Sequence, residues 1–167
     1  MNTKLLTLVA ILLSVMMLSC HDASEIKLTY RIELSEELED VSDIKIVYTD
    51  FDGKEYRETM ESGRWEKSMT TPVPPVVSMI RVEASRNANN VEDNEIVLEM
   101  DFSCVAERYI EGEIMESVAY TEFFNCRAKN SAEIVSALSE FDFERSYVIR
   151  SASDSSITME QNIIDNQ

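Results

Sequence analysis

Residues 25–34 read EIKLTYRIEL. Ile26, Leu28, Tyr30, Ile32 and Leu34 alternate with charged or polar residues without a break. Successive side chains of a strand point to opposite faces, so this period of two describes a strand with one buried face and one wet face. The pattern recurs on both sides. DIKIVYTD carries Ile44, Ile46 and Tyr48, and FDGK then places Asp52 and Gly53 where a turn wants positive φ. KEYRETM returns through Tyr56 and Met60, making residues 43–60 a hairpin. A two-residue turn would oppose Tyr56 to Thr49 on the polar face, so a bulge or a longer loop is expected there.

Farther along, SGRW is a turn, after which Trp65, Lys67 and Met69 share a face. TTPVPP supplies three prolines that cannot donate to a ladder, which makes it an edge or a crossover. VVSMIRVEAS resumes the alternation through Ile80, Val82 and Ala84. Two long strands follow. EIVLEMDFSCVA has Ile96, Leu98, Met100, Phe102 and Cys104 on one face; SVAYTEFFNCRA has Val118, Tyr120, Phe124 and Cys126. That makes seven strands before residue 129. In KNSAEIVSALSEF, Asn130 and Glu133 form a capping-box-like start, and Ile134, Val135, Leu138 and Phe141 fall at helical spacing. One short helix is therefore expected near residues 131–141, followed by a strand through Tyr147 and Ile149 and a weak strand or frayed tail.

Alternating strands separated by turns describe a mainly β chain, an antiparallel β-sandwich of the immunoglobulin-like or transthyretin-like kind. The alternative is a lipocalin-like up-and-down barrel. Residues 131–152 have the helix-then-strand order of lipocalins, and GRW resembles their Gly-x-Trp pair. In that family the pair lies at the first strand, whereas Gly63 and Trp65 follow the third.

Ahead of the β region, Lys4 precedes fourteen uncharged and largely apolar residues, 5–18, and Ser19 and Cys20 come next. As a helix this run would cover roughly 21 Å, short of the roughly 30 Å hydrocarbon core of a bilayer. It reads as an export signal. MLSC resembles the lipobox of bacterial lipoproteins, with Met17 and Leu18 departing from the preferred leucine and small residue. The resemblance implies cleavage after Ser19 and lipidation of Cys20, an anchor that tethers the protein without crossing the membrane. The expected organisation is a signal peptide at 1–19, a lipidated N-terminus and tether at 20–24, and a single domain at 25–167.

Lys4 is the only charge in the signal, so the mature chain keeps 14 of the 15 basic residues against all 32 acidic ones, a formal balance of −18. Such a field repels phosphate backbones and excludes nucleic acid as a partner class. His21 is the only histidine and sits beside the anchor. A Ser/His/Asp or Cys/His catalytic group and a histidine-built zinc site are therefore not expected in the domain. Asp50, Asp52 and Glu55 around Gly53 resemble part of a calcium loop, but Tyr48 and Thr59 occupy two of its ligand positions, and a hairpin turn is the better reading. No metal or cofactor site is expected. Cys104 and Cys126 flank EGEIME; antiparallel pairing about residue 115 would oppose them, as a disulfide or as two buried thiols. Trp65 on an alternating strand reads as core, with a sugar-stacking platform as the alternative.

SC at the end of the signal, YRIELSEEL, VYTDFDGKEYRE, WEK and VSMIRVEAS together resemble the small lipoproteins of Bacteroidetes-type bacteria. The likeness covers roughly residues 1–86 and implies an exported, membrane-anchored β-sandwich on the periplasmic or cell-surface side. It carries over no active-site residue. The expected function is non-catalytic binding of an envelope protein or glycan through sandwich loops or an edge strand. A barrel that carries a small ligand and a carboxylate-based hydrolase are the alternatives.

Overall fold

The computed structural model describes residues 24–71, 74–87, 95–151 and 156–164. The signal, Cys20 and His21 lie outside the described residues, as does most of the polar loop after Asn87. The fold is mainly β, with nine strands among the described residues: β1 Ser24–Leu34, β2 Ser42–Thr49, β3 Glu55–Thr59, β4 Arg64–Thr71, β5 Val76–Arg86, β6 Ile96–Ile110, β7 Glu113–Ala128, β8 Phe143–Ser151 and β9 Ile157–Ile163. They form two antiparallel sheets, ordered β4-β1-β6-β7 and β3-β2-β5-β8-β9. Neither sheet closes on itself, so the lipocalin-like barrel is not what forms. Residues 43–60 do form a hairpin, and its connection is the longer one that the alternation demanded: Tyr48 pairs with Tyr56, leaving residues 50–54 as the loop.

The sandwich follows from the alternation. On β1 the buried set is Ile26, Leu28, Tyr30 and Ile32, and β6 opposes it with Leu98, Met100, Phe102, Cys104 and Ala106. The five-stranded sheet answers with Ile44, Ile46, Tyr48, Ile80, Val82, Tyr147 and Ile149. Aromatic rings fill the middle. Tyr30 lies 5.9 Å from Tyr147 between ring centroids, and Phe102 lies 4.9 Å from Phe143. Tyr30 also donates through its hydroxyl to Ser78 Oγ at 2.9 Å, and Ser78 donates on to the Thr49 carbonyl at 2.6 Å, a buried polar link between the sheets. The interior that a ligand carrier would need open is occupied by these side chains.

Two helices close the end opposite the start of β1. α1, Glu36–Val41, is an element the strand alternation does not announce. Ser35 Oγ accepts from the Leu38 amide at 3.3 Å, Glu36, Glu37 and Glu39 complement the positive helix start, and Leu38 and Val41 are buried. α2, Ser131–Leu138, and a 3-10 turn, Ser139–Phe141, occupy the span expected for a helix. Asn130 Oδ1 accepts from the Ala132 and Glu133 amides, and Glu133 reaches back to the Lys129 amide and the Asn130 side chain. Among the described residues no helix is long and apolar enough to cross a membrane.

The β6–β7 turn corrects the expected register. It is a two-residue turn at Glu111 and Gly112, with φ of 53° and 85°, whereas pairing about residue 115 requires all of EGEIME as the loop. β7 therefore starts earlier, at Glu113, and the ladder shifts: Cys104 faces Tyr120 and Cys126 faces Leu98. Six residues of ladder separate the cysteines, about 20 Å along the strands, where a disulfide needs Cα atoms within about 7 Å. Both thiols are free.

Candidate functional site

The two open sides of the sandwich are each closed by a polar cluster, and both clusters sit at positions where the alternation calls for an apolar residue. Between β3 and β4, the Glu58 carboxylate accepts from Tyr48 Oη at 2.6 Å, Trp65 Nε1 at 2.8 Å and Lys67 Nζ at 3.2 Å. These donors, the Tyr48 hydroxyl foremost, hold the Glu58 carboxyl below its ordinary pKa. The same hydroxyl and then Glu58 hold the Lys67 ammonium above its own. Tyr48 stacks on Tyr56 at 5.3 Å, and Lys67 lies over the Tyr48 ring. Trp65 is buried here, as core.

On the opposite side, Arg145 of β8 donates from Nε and Nη2 to the two oxygens of Glu122 on β7, at 2.8 and 2.7 Å. Gln161 Nε2 of β9 joins Glu122 Oε1. Hydrogen bonding from Arg145 is the main cause that lowers the Glu122 pKa. Each edge strand thus carries at least one inward-pointing polar group: Glu58 on β3, Lys67 on β4, Glu122 on β7, where Glu116 also accepts from the Ile157 amide, and Gln161 on β9. A strand that would add to one of these edges must contend with an inward charge or amide, the usual protection of sheet edges.

Of the hairpin acids, Asp50 is spent on its own turn, and Glu55 accepts from Arg57 Nε at 2.9 Å. Asp50 Oδ1 accepts from the Asp52 and Lys54 amides and Oδ2 from Tyr56 Oη, while Gly53 takes φ of 77°. These bonds, the Lys54 amide first, keep the Asp50 carboxyl below its usual range.

What remains is the outer face of the four-stranded sheet. Register places its side chains in rows across β4, β1, β6 and β7: Arg64, Glu33, Asp101, Phe123; then Glu66, Arg31, Ser103, Thr121; then Ser68, Thr29, Val105, Ala119. The small residues of the second and third rows form a floor, and the longer charged ones form walls. Two shallow depressions result, of about 200 Å³ beside Glu33, Asp101 and Thr121 and about 280 Å³ beside Lys27, Thr29 and Glu107, with Arg31 and Ser103 common to both. Arg31 Nε and Nη2 both donate to Glu66 Oε2, at 2.9 and 2.8 Å, which keeps Glu66 ionised to lower pH than usual. Arg64 Nε lies 3.5 Å from Glu33. Asp101 is exposed, and directly across from it Phe123 stands 59% exposed.

The sequence reading missed this face because its residues look like ordinary solvent-side filler. The one signal in the chain is the doublet Phe123–Phe124: only one of two neighbouring phenylalanines can face the core of a strand. A third depression of about 210 Å³ lies at the helical end, rimmed by Glu39, Asp43 and Glu61.

Neither cysteine stands in a reactive setting. Cys104 is buried between the sheets, 3.8 Å from Met159 Sδ, and burial pushes its thiol pKa well up. Cys126 donates to the Ala137 carbonyl at 3.6 Å, and burial and then Glu140 raise its pKa. Since the thiolate is the reactive species, the folded protein at neutral pH should leave Cys104 unmodified by a thiol reagent over hours, and dithiothreitol should leave the melting temperature unchanged. A drop in melting temperature on reduction would reinstate a bridge; rapid labelling of Cys104 would place it at the surface.

Compared with known proteins, the chain matches no protein family and no curated protein.

Proposed function

We propose that the protein is a non-catalytic lipoprotein of the bacterial cell envelope, held to the membrane by a lipid on Cys20, and that it binds a partner on the outer face of its four-stranded sheet. The observation that carries the binding surface is the conjunction of an exposed aromatic, Phe123, with the hydroxyls of Ser103 and Thr121 and the carboxylate of Asp101 beside it on the sheet. Sites built on strands hold their geometry better than sites on loops. The inward-pointing polar groups on all four edges favour this face over edge-strand addition.

A carboxylate-based hydrolase is less well supported. Glu33 and Asp101 face each other across β1 and β6, but both are exposed on an open surface. An acid–base pair works best in a cleft that excludes water and separates the two pKa values.

Export and anchoring rest on residues 1–20. Ser24 already pairs with Ile110, so the folded sheet begins four residues beyond Cys20, and the tether is at most about 14 Å long. The finer family likeness, to small Bacteroidetes-type lipoproteins with an immunoglobulin-like or transthyretin-like sandwich, belongs to the same proposal. Of the two folds the transthyretin-like is favoured, because an immunoglobulin constant-type sandwich keeps its first two strands in one sheet, and here β1 and β2 lie in different sheets.

The test of the anchor is Cys20→Ser in the full chain expressed in a bacterial host. The variant should fold with an unchanged melting temperature and move from the detergent phase to the aqueous phase on partitioning. Should it remain with the membrane fraction as the parent does, lipidation is not what holds the protein there.

A further inference from the structure

We infer that the outer face of the four-stranded sheet takes a neutral oligosaccharide, with the Phe123 ring as the stacking platform and Asp101, Ser103 and Thr121 as hydrogen-bonding partners. The inference rests on the reading of this face as the binding surface and adds the ligand class.

A sugar ring presents C–H groups on its faces and hydroxyls around its rim. It is recognised by a flat aromatic surface next to short, outward-facing donors and acceptors. Phe123 supplies the first. It is an aromatic on a strand, 59% exposed, and its row and the next are otherwise charged or hydroxylated, so the ring is not part of an apolar patch of the size that docks a protein. Asp101, Ser103 and Thr121 supply the second. Asp101 is directly opposite Phe123, and Ser103 is directly opposite Thr121. Neighbouring strands are about 4.8 Å apart and alternate residues of a strand about 6.8 Å apart, so the four side chains frame the footprint of a single ring. The two depressions continue from there across Arg31 toward Thr29 and Lys27, which leaves room for further units along the strands.

Charge chooses the neutral class. Arg31 is engaged by Glu66, and Arg64 lies beside Glu33 and Glu66, so the face offers no free guanidinium fork for a carboxylate, sulfate or phosphate. The whole-chain balance of −17 opposes anionic polymers as well. A cationic peptide would be attracted, but binding by charge on an open face falls with salt, whereas stacking and neutral hydrogen bonds do not.

The experiment is calorimetric titration of the intact protein, in a polyoxyethylene detergent that contains no sugar, with neutral gluco-, manno-, xylo- and galacto-oligosaccharides. At least one should bind with a dissociation constant of about 10 μM to 1 mM, the range suited to a shallow site, and affinity should hold between about 50 and 500 mM salt. Phe123→Ala should weaken it by about tenfold or more, Asp101→Asn should weaken it too, and neither should lower the melting temperature. Failure of the whole series to bind, or binding indifferent to Phe123→Ala, overturns the inference. Salt-sensitive binding of a lysine-rich peptide in place of the sugars overturns the ligand class and leaves the binding face standing. Release of new reducing ends would instead refute the non-catalytic reading.

Discussion

Replacing Glu122 with alanine should destabilise the protein by about 3 to 5 kcal/mol, the cost of leaving one member of a desolvated ion pair alone. Arg145 is only 11% exposed at its side chain and Glu122 24%, and the two meet through a fork of two hydrogen bonds. Without the carboxylate, the guanidinium stays wedged beside the Phe143 ring with its main acceptor gone, and Gln161 loses the same partner. Urea denaturation measures the loss. The double variant Glu122→Leu, Arg145→Met should recover most of it, since an apolar pair of similar volume removes the stranded charge. A Glu122→Ala variant within about 1 kcal/mol of the parent would mean that water reaches Arg145 freely and that the pair behaves as a surface bridge.

The same pair gives a pH dependence of definite sign. The folded-state pKa of Glu122 is depressed, by hydrogen bonding from Arg145 first, and its unfolded value is near the ordinary glutamate value of about 4.3. A depressed carboxyl binds its proton less readily when folded. Its contribution is therefore complete above that unfolded value and is lost as pH falls through the lower folded one. Glu58, depressed by its bonds from Tyr48, Trp65 and Lys67, acts in the same direction. In Glu122→Ala the acid limb of the stability curve should be shallower than in the parent; an unchanged limb would assign it to other carboxylates.

Trp65→Ala should cost about 3 to 5 kcal/mol as a large-to-small change at a buried site, enough to take a third of the stability of an ordinary domain. Trp65 is 9% exposed, leans on Tyr48 with ring centroids 5.7 Å apart, and donates from Nε1 to Glu58. Its removal opens a cavity at the β3–β4 side and leaves Glu58 with one donor fewer. Trp65→Phe keeps a ring and loses the donor, so it should cost less. Thermal denaturation ranks the variants, and the emission of this sole tryptophan should lie to the blue in the folded parent. A melting temperature untouched by Trp65→Ala would put the ring on the surface.

Tryptophan is where a search of the sequence for a sugar platform looks first, and here the indole is buried. Trp65 follows the inward beat of its strand, as the alternation foretold. Phe123 carries the exposed ring, and its neighbour Phe124 goes in, stacked 5.1 Å from Phe143. The alternation of Val118, Tyr120 and Phe124 implies an outward Phe123, yet nothing in β7 alone says that Asp101 and not some other residue of β6 stands across from it. That depends on the Glu111–Gly112 turn and the irregularity at Arg108 and Tyr109. The same shift undid the expected pairing of the two cysteines.

Local periodicity fixed the strands and the burial of their apolar faces, because the pleat repeats every two residues whatever the partner strand. It also announced α2, through an Asn130–Glu133 cap read within one turn. Ser35 with Leu38 and Val41 held a similar cue for α1, masked by the strong strands on either side. Tertiary structure alone decided which strands share a sheet, since β1 pairs with β4 and β6 and with none of its immediate neighbours in the chain. It also decided the fate of Glu58, Lys67 and Glu122. In the sequence they interrupt the apolar beat; in the fold they close the sides of the sandwich, because a charge is tolerated inward only where another strand brings its partner, Lys67 for Glu58 and Arg145 for Glu122. The candidate site belongs to the same class, as a row of side chains from four strands that no single stretch of the chain contains.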